Sequence, residues 1–512
     1  MLAKVNSMAV IGLDSHPIEV EIDIAKGLPC FNIVGLPDKA VEESKERVRS
    51  AIRNSNAKFP MQRITINLAP ADLKKEGPAY DLAIAVGVLF ADKQIPLPVD
   101  LEQSLFIGEL SLNGNVRHVS GILPIVMEAV KRKYTKIYLP AINAPEASLI
   151  DDIAIIPVKN IKDLIFHFKA EKKISPYKPN YTFDTNMAEN EFDFAYVKGQ
   201  DQAKRALEIA ASGAHNILLS GTPGSGKTLL ARSFAAILPP MIKEEILEVT
   251  KIYSIAGLLP HDTPLVSVRP FRSPHHTASH IAIVGGGTWP KPGEITLSHR
   301  GVLFLDEFPE FPRSVLESLR QPLEDKIVTV SRAQGSLTFP ANFILIAAQN
   351  PCPCGYWGDE ARQCTCTSHQ IIRYQKKISG PLLDRIDIHL EIPRVNIDKL
   401  TKDNLAESSE KVRERVIKAR NRQLKRFKND KKSKHTFSNS EMSQRQIKEY
   451  CPVSDECKTL LSQATSQLNL SARSYYRIIR IARTIADLEN CDMIKTSHIA
   501  EALQYRPKEK TY

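Results

Sequence analysis

The chain has 512 residues, with 69 Lys and Arg against 58 Asp and Glu, a net charge of +11 and a hydrophobic fraction of 43%. This composition excludes a wholly disordered or collagen-like protein, and the length is sufficient for roughly two to four folded domains. No apolar run reaches the roughly 18 residues that a membrane span needs, the start lacks an export signal, and eight cysteines are too few for a disulfide scaffold. We therefore expect a cytoplasmic protein that has no contact with membranes.

Composition and periodicity divide the chain into five stretches without an internal repeat. We predict an α+β domain at 1–168, a linker at 169–195, an alternating strand and helix core at 196–395, a basic helical or linker segment at 396–435, and a helical part at 436–512.

Several stretches of the first domain have a clear period. Apolar and acidic residues alternate over Ile18–Ile24, which predicts a half-buried strand, and Arg63–Leu68 alternates in a similar way. Asp38 precedes apolar residues at helical spacing, which predicts the start of a helix. The apolar run Tyr80–Phe90 predicts a buried segment.

A phosphate-binding motif, G-x-x-x-x-G-K-T, directly follows a predicted strand at Asn216–Ser220. Its glycines let backbone N–H groups point at phosphate oxygens, and the N-terminus of the next helix adds the positive end of a dipole. We expect Lys227 to contact the β- and γ-phosphates of ATP and the Thr228 hydroxyl to ligate Mg²⁺. The motif consists of Gly221, Thr222, Pro223, Gly224, Ser225, Gly226, Lys227 and Thr228.

Two further apolar strands of this core end in polar residues. Val302–Leu305 is followed by two carboxylates, and we expect Asp306 to hold Mg²⁺ and Glu307 to polarise the attacking water as a general base. Phe343–Ala348 leads to Asn350, which we expect to orient that water; the alternative is an Asn that only forms a turn. The predicted reaction class is hydrolysis of a nucleoside triphosphate.

Four of the eight cysteines form two C-x-C pairs separated by nine residues: Cys352, Cys354, Cys364 and Cys366. In a reducing compartment four thiolates suit a tetrahedral structural zinc ion, for which His369 is an alternative ligand. Reduced thiols without a metal are the other interpretation.

The charge surplus is concentrated in residues 411–434, where twelve Lys and Arg stand against only Glu414 and Asp430. Such a stripe suits a polyanion such as DNA, and a solvated helix or linker is the alternative. Beyond it, apolar residues from Tyr475 to Ala486 recur at helical spacing and predict an amphipathic helix.

Together with Leu382–Asp387 and Ser471–Arg473, these motifs resemble an AAA+ ATPase of the branch that contains magnesium-chelatase ATPase subunits and MCM helicases. The resemblance implies an α/β fold class, an AAA+ P-loop NTPase core with a C-terminal helical lid. It also implies that Arg385 is an arginine finger directed at the nucleotide of a neighbouring subunit, and that Arg473 is a second sensor arginine on the lid. Without the resemblance, Arg385 between two aspartates would be read as a structural ion pair. A finger acting in trans implies a homo-oligomeric ring, which in this family is usually a hexamer.

Further blocks narrow the resemblance to the magnesium-chelatase-like competence ATPases of the ComM/YifB type, over nearly the whole chain. We expect the adjacent His275 and His276 in the second block to have a role other than metal binding, because neighbouring side chains point in different directions on most backbones. The blocks are Gly35–Asp38, Arg269–Thr277, Gly285–Gly287 and Pro292–Ile295.

Lys75–Asp81 and Gly108–Gly114 resemble the proteolytic domain of Lon. The position of the Lon serine is Ala79 here, and the position of its lysine is Leu123, so both halves of the catalytic dyad are missing. The resemblance implies a Lon-protease-like α+β domain that forms rings or docks partners without hydrolysing peptides.

The family resemblance implies an ATP-hydrolysing hexameric motor on DNA, a helicase or branch-migration factor in the recombination of incoming DNA during natural transformation. Its DNA binding should be largely independent of sequence, because no base-reading module is recognised. The alternative is an ATP-driven remodeller of protein complexes, similar to magnesium-chelatase subunits, that does not act on DNA.

Overall fold

The computed structural model describes residues 2–178, 192–260, 264–287, 291–332, 335–394, 406–428, 430, 436–467 and 471–506. Most of the predicted linker, the stretch 395–405 and the basic residues Lys431, Lys432 and Lys434 lie outside these described residues.

The chain divides into two compact units. The first consists of the described residues of 1–184 and of 246–266, and the second consists of those of 185–245 and 267–512. The described residues of 246–266, which the sequence assigned to the 196–395 core, therefore belong to the first unit. None of the helices in the described part of the chain combines the length and the apolar character that a bilayer span requires.

Seven strands of the first unit form a mixed sheet in the order β3-β4-β2-β1-β5-β8-β9, and β6 and β7 form a separate pair. The strands are β1 Leu2–Ile11, β2 Asp14–Ala25, β3 Cys30–Val34, β4 Arg63–Ala69, β5 Ser104–Phe106, β6 Glu109–Leu110, β7 Val116–Arg117, β8 Lys136–Pro140 and β9 Ala154–Val158. The helices are α1 Lys39–Asn54, α2 Asp81–Ala91, α3 Ile122–Lys131, α4 Ala144–Ala147 and α5 Ile161–Phe168.

The predicted elements of this unit are confirmed. Ile18–Ile24 lies in β2, and Arg63–Leu68 lies in β4, which pairs with β2 in antiparallel register. Asp38 caps α1 by accepting the Val41 N–H at 2.8 Å. The whole of α2 is buried, because it is apolar on every side and lies in the core of the unit.

The second unit contains a parallel sheet of five strands in the order β11-β14-β17-β10-β18, together with two antiparallel pairs, β12 with β13 and β15 with β16. The strands are β10 Ile217–Gly221, β11 Phe271–Arg272, β12 Gly285–Gly286, β13 Lys291–Pro292, β14 Val302–Leu305, β15 Ile327–Arg332, β16 Gly335–Pro340, β17 Ile344–Gln349 and β18 Ile388–Ile392. The predicted mixed α/β architecture is confirmed at this level.

The remaining described helices are α6 Asp201–Gly213, α7 Lys227–Ile237, α8 Lys243–Ala256, α9 His280–Val284, α10 Glu294–Leu297, α11 Arg313–Ser318, α12 Arg320–Asp325, α13 Ser368–Gln375, α14 Gly380–Leu383, α15 Ser409–Lys428, α16 Gln444–Tyr450, α17 Asp455–Gln467, α18 Ala472–Leu488 and α19 Thr496–Gln504. Helix α8 crosses from the second unit into the first. Apolar side chains of α6, α7, α15 and α18 share one core with the central strands of the parallel sheet.

The basic segment forms α15, and its arginines are held by contacts within the second unit. Arg415 pairs with Glu208 and Glu407, Arg420 donates to the carbonyls of Ala211 and Ser212, Arg422 pairs with Asp492, and Arg426 pairs with Asp487. The exposed basic residues of α15 are Lys411, Lys418, Lys425 and Lys428. For these four arginines, contacts within the unit favour a structural role, which is neither the predicted contact with a polyanion nor the alternative of a solvated helix or linker.

Candidate active site

The phosphate-binding motif lies between β10 and α7, at the edge of the parallel sheet where the strands end. β10 ends at Gly221 and α7 begins at Lys227. In the register of β10 with β17, Ser220 lies opposite Gln349, so the end of β17 lies beside the loop. Gly226 caps α7 with φ 88°, a left-handed conformation that residues with a Cβ adopt only with strain. The strand, loop and helix follow each other as the motif requires.

The Lys227 ammonium group lies inside the loop. Its Nζ donates to the carbonyl oxygens of Gly221 at 2.7 Å and Thr222 at 2.9 Å, and to Asn350 Oδ1 at 3.2 Å. Burial lowers the pKa of Lys227 below its ordinary value, and the Asp306 carboxylate opposes this shift. The structure therefore brings together the predicted phosphate-binding lysine and the predicted water-orienting amide.

Thr228 and Asp306 meet at the start of α7. The Thr228 hydroxyl donates to Asp306 Oδ2 at 2.9 Å. A hydroxyl and a carboxylate are hard oxygen ligands of the kind that Mg²⁺ takes together with waters and substrate phosphates. The donor set fits the ion that the sequence predicts at these two residues.

Glu307 pairs with a histidine that the sequence did not connect with catalysis. Its Oε2 lies 2.9 Å from His276 Nδ1, and its own N–H donates to Asp306 Oδ1 at 2.9 Å. Glu307 has φ 52°, a left-handed backbone conformation that is uncommon outside glycine and often occurs at functional sites. The only sequence signal for His276 was its adjacency to His275, whose ring lies 4.1 Å away between centroids.

Three buried oxygen atoms around the loop have no hydrogen-bond partner among the described residues: Thr222 Oγ1, Ser225 Oγ and Gln200 Oε1. Gln200 Nε2, by contrast, donates to the Ser225 carbonyl at 2.6 Å. Buried polar atoms without a partner cost free energy unless a ligand or water satisfies them. Their position around the loop fits the triphosphate that the motif predicts. Gln200 itself carried no signal in the sequence.

Arg385 and Arg473 both pair with a third residue, Glu324 of α12. Among the described residues, neither arginine forms an ion pair or a hydrogen bond with the loop. Arg385 Nε lies 2.9 Å from Glu324 Oε2, and Arg473 donates to Glu324 Oε1 at 2.9 Å. Within this one chain, Arg385 is thus in the ion pair that the local sequence suggested as its alternative role. Glu324 was not identified from the sequence, because nothing in α12 marks it.

Asp387 links the segment of Arg385 to the helix that carries Arg473. Its carboxylate accepts from Arg477, one turn after Arg473 in α18, at 2.9 Å. Burial alone would raise the pKa of Asp387, but the Arg477 guanidinium and the neighbouring His215 ring hold it well below its ordinary value. A buried ion pair therefore connects the two predicted arginine elements.

The four clustered cysteines bring their sulfur atoms within 4.8 Å of one another. The Sγ–Sγ distances are 3.4 Å for Cys352 and Cys354, 3.7 Å for Cys352 and Cys364, and 3.5 Å for Cys354 and Cys364. A tetrahedral zinc ion with Zn–S bonds of about 2.3 Å sets neighbouring sulfurs about 3.8 Å apart. The donor set fits zinc, and His369 does not belong to the cluster.

The cysteine loop packs against the phosphate-binding loop. A Cβ built at Gly355, where φ is 86°, would lie 2.6 Å from Pro223 Cγ, so only glycine fits at this contact. Cys352 is two residues from Asn350 along the chain, and Gln375 Nε2 donates to the Pro351 carbonyl between them at 3.2 Å. The cysteine loop therefore adjoins both the phosphate-binding loop and Asn350.

Three family models match the chain, and all three describe magnesium-chelatase subunits. "Magnesium chelatase, subunit ChlI" matches residues 193–400, "Subunit ChlI of Mg-chelatase" matches residues 20–143, and "Magnesium chelatase, subunit ChlI C-terminal" matches residues 406–506. The first match includes the whole phosphate-binding motif and the acidic pair at 306 and 307.

The chain is 41% identical over 512 residues to the competence protein ComM of Haemophilus influenzae, a match that covers 99% of this chain and 97% of that protein. It is 41% identical to the uncharacterized protein YifB of Escherichia coli, with the same two coverages. A shorter likeness, 29% over 181 residues, relates 31% of the chain to Lon protease 2 of Bacillus subtilis. By these full-length matches, the chain belongs to the ComM/YifB type of magnesium-chelatase-like, AAA+-like ATPases.

Proposed function

We propose that this protein is an ATP-driven hexameric motor on DNA, a helicase or branch-migration factor that serves the recombination of incoming DNA in natural transformation. The contact of Lys227 with Asn350, beside the contact of Thr228 with Asp306, carries the ATPase part of this proposal. The DNA part is supported by the name of the full-length relative, a competence protein. We place this activity in the cytoplasm, where ATP and DNA are found together and thiols stay reduced.

Each side chain of the site has one role in ATP hydrolysis. Backbone N–H groups of the loop and the Lys227 ammonium group bind the β- and γ-phosphates. Asn350 orients the attacking water, and Glu307 accepts its proton as the oxygen attacks the γ-phosphorus. His276 fixes the rotamer of Glu307 through the 2.9 Å contact. Thr228 and Asp306 would hold Mg²⁺, which neutralises phosphate charge when it is bound.

We also propose that the protein forms a ring, in which Arg385 and Arg473 act on bound nucleotide. We propose that Arg385 leaves Glu324 and reaches the nucleotide of the neighbouring subunit, while Arg473 of the helical lid reaches the nucleotide of its own chain. A fixed guanidinium group there stabilises the charge that develops on the γ-phosphoryl group. The Asp387–Arg477 ion pair then transmits movement of the lid helix to the segment of the finger.

For the cysteine cluster, we propose a structural zinc ion that holds the loop against Pro223 and fixes the segment after Asn350. The test is the zinc content of the purified protein, expected at one ion per chain, and of the double variant Cys352→Ser/Cys364→Ser, expected at none. The control is Cys30→Ser in the first unit, which should keep the metal. A wild-type protein that holds no zinc when purified without chelators would contradict this proposal.

We further propose that the first unit has a Lon-protease-like fold without protease activity. The partial likeness to Lon protease 2 supports the fold, and Ala79 and Leu123 provide neither a nucleophile nor a base. Such a domain would form rings or dock partners. Incubation of the protein with unfolded casein and ATP should leave the casein intact, and ATP-dependent cleavage would contradict the proposal.

The descriptions of the three family models favour a second candidate, an ATP-driven remodeller of protein complexes that does not act on DNA. ATP turnover measured without DNA and with single-stranded, duplex or forked DNA distinguishes the two. We expect DNA to stimulate turnover, with the forked substrate most effective. Turnover that no DNA form changes would favour the protein remodeller, and absence of turnover in every condition would contradict both.

A further inference from the structure

A cleft rich in basic side chains opens in the second unit. Its volume is about 670 Å³, and its walls are the segment that follows Glu307, helix α11 and helix α13. The charged and titratable residues that line it are Glu310, Arg313, His369, Arg373, Lys376 and Lys377. Neither the nucleotide site nor the zinc site uses these basic residues.

The basic residues of the cleft are arranged in a row. His369, Arg373 and Lys376 are four and three residues apart on α13 and at its C-cap, which places them on one helix face. Their side chains are exposed, and among the described residues Arg313, Arg373 and Lys376 form no ion pair. Like charges that line a concave surface repel each other and attract an anion more strongly than a flat surface does.

We infer that this cleft binds the phosphate backbone of a DNA strand. This inference rests on the proposed function, and it identifies the surface through which the proposed motor would contact DNA. Phosphates explain the unpaired cations Arg313, Arg373 and Lys376. Stacking on bases has little support in the cleft, because among the described residues Phe311 is its only Phe, Tyr or Trp and is only 3% exposed. Contacts to phosphate alone also agree with binding that is independent of sequence.

The cleft fits a polyanion better than the exposed side of α15 does. Four arginines of α15 are occupied by contacts within the unit, and its exposed basic residues are spread along the 20 residues of the helix. Arg313 and Arg373 offer unpaired guanidinium groups, which bind phosphate through two parallel hydrogen bonds.

One ion pair spans the cleft and connects it to the active site. Lys377 Nζ lies 2.8 Å from Glu310 Oε2. Glu310 follows Glu307 by three residues, and Lys377 follows α13, whose Gln375 holds the Pro351 carbonyl. A DNA phosphate that takes the place of Glu310 at Lys377 releases the segment next to the general base. Binding of the strand is thereby coupled to the position of Glu307.

The test compares two triple variants of equal charge in the full-length protein. Arg313→Gln/Arg373→Gln/Lys376→Gln removes three cations of the cleft, and Lys411→Gln/Lys418→Gln/Lys425→Gln removes three from α15. Affinity for a fluorescent 30-nucleotide strand is measured against salt concentration. The cleft variant should bind at least tenfold more weakly, and its slope of log K against log salt should decrease by about 2, since each phosphate contact contributes about 0.7. The α15 variant should bind within twofold of wild type.

A third variant tests the sign of the coupling. Glu310→Gln removes the carboxylate that competes for Lys377, so affinity for the strand should increase severalfold. Equal losses in both triple variants, or a cleft variant that binds like wild type, would overturn the inference while leaving the proposed DNA motor intact. A wild-type protein that binds no DNA would overturn both. A change of oligomeric state in the cleft variant, measured by light scattering, with unchanged DNA binding would assign the cleft to contact with a second copy of the chain instead.

Discussion

The phosphate loop of the second unit and the region around Leu123 in the first unit differ in how their polar groups are satisfied. At the loop, buried hydroxyls of Thr222 and Ser225 have no partner among the described residues. In the first unit, the buried Glu146 carboxylate accepts from the Leu123 N–H at 3.0 Å, from Asn143 Nδ2 at 3.2 Å and from the Ser254 hydroxyl. Buried hydroxyls without a partner are typical of a site that binds a polar ligand. Around Leu123, by contrast, the buried carboxylate is satisfied by donors of the same unit.

The buried carboxylates of the two units show the same contrast in their charge. Arg477 and His215 hold the pKa of Asp387 well below its ordinary value despite burial, so the group is ionised. Burial raises the pKa of Glu146, whose donors are neutral and only partly oppose the shift. In the second unit an ion pair thus joins the segment of Arg385 to α18, whereas Glu146 in the first unit is held by neutral donors.

The largest expected effect concerns Arg385, the arginine finger that we propose for the second unit. Arg385→Ala should lower kcat for ATP by about 10³- to 10⁵-fold, because a finger arginine stabilises the transition state to that extent. Affinity for ATP should stay within a few fold, as measured by binding of a fluorescent analogue. Arg53→Ala, at the end of α1, is the control and should have wild-type kcat. Unchanged turnover in Arg385→Ala would show that Arg385 is not a finger and only forms a structural ion pair.

The next effect concerns Glu307, the general base that we propose. Glu307→Gln keeps the shape of the side chain but cannot accept the proton, so kcat should decrease by about 10²- to 10⁴-fold while ATP still binds. Retained nucleotide should also stabilise a ring, which sedimentation velocity measures. The matched control is Glu414→Gln on the exposed side of α15. A Glu307→Gln variant that turns over ATP at the wild-type rate would leave the acidic pair without its catalytic role.

Much of this site could be predicted from the sequence, because each strand that ends in a functional residue is a short apolar run and parallel strands share an edge. Asp306 and Asn350 were found in this way. His276, Gln200 and Glu324 were not, since each acts through a partner that lies 25 to 61 residues away and leaves no periodic pattern. The packing of 246–266 with the first unit was missed for the same reason.

A third prediction uses the opposite pKa shifts of Asp387 and Glu146 to distinguish the pH dependence of the two units. Asp387→Asn leaves Arg477 buried without its counter-charge and should destabilise the second unit by about 3–5 kcal/mol at pH 7. In the wild type, the stabilisation from Asp387 is present above its ordinary pKa and is lost as the pH falls through the lowered value. The contribution of Glu146 has the opposite sign, since it is present at low pH and is lost as the pH rises through the raised value.

Hydrogen exchange measures both contributions in one sample. Between pH 4 and pH 7, amides of β1 and β2 should lose protection through Glu146, after correction for the intrinsic exchange rate. Over the same range, amides of β10 and β18 should keep the protection that depends on Asp387 and lose it only in more acidic solution. Asp387→Asn should weaken β10 and β18 selectively. Equal changes in both sets of strands would contradict the contrast between the two carboxylates.

The smallest expected effect concerns Glu324, whose contacts in the second unit are temporary in our proposal, unlike those of Glu146. Arg385 and Arg473 must leave Glu324 before they reach a triphosphate, so Glu324→Gln should make both arginines more available to ATP. A partly exposed ion pair contributes about 0.2–1 kcal/mol, so the KM for ATP should decrease by up to about fivefold, with little change in kcat. Glu317→Gln is the matched control, because Glu317 pairs only with Arg320 among the described residues, at 2.6 Å. If Glu324→Gln instead lowers kcat as strongly as Arg385→Ala does, then Glu324 positions the finger for catalysis and its contacts are as permanent as those of the first unit.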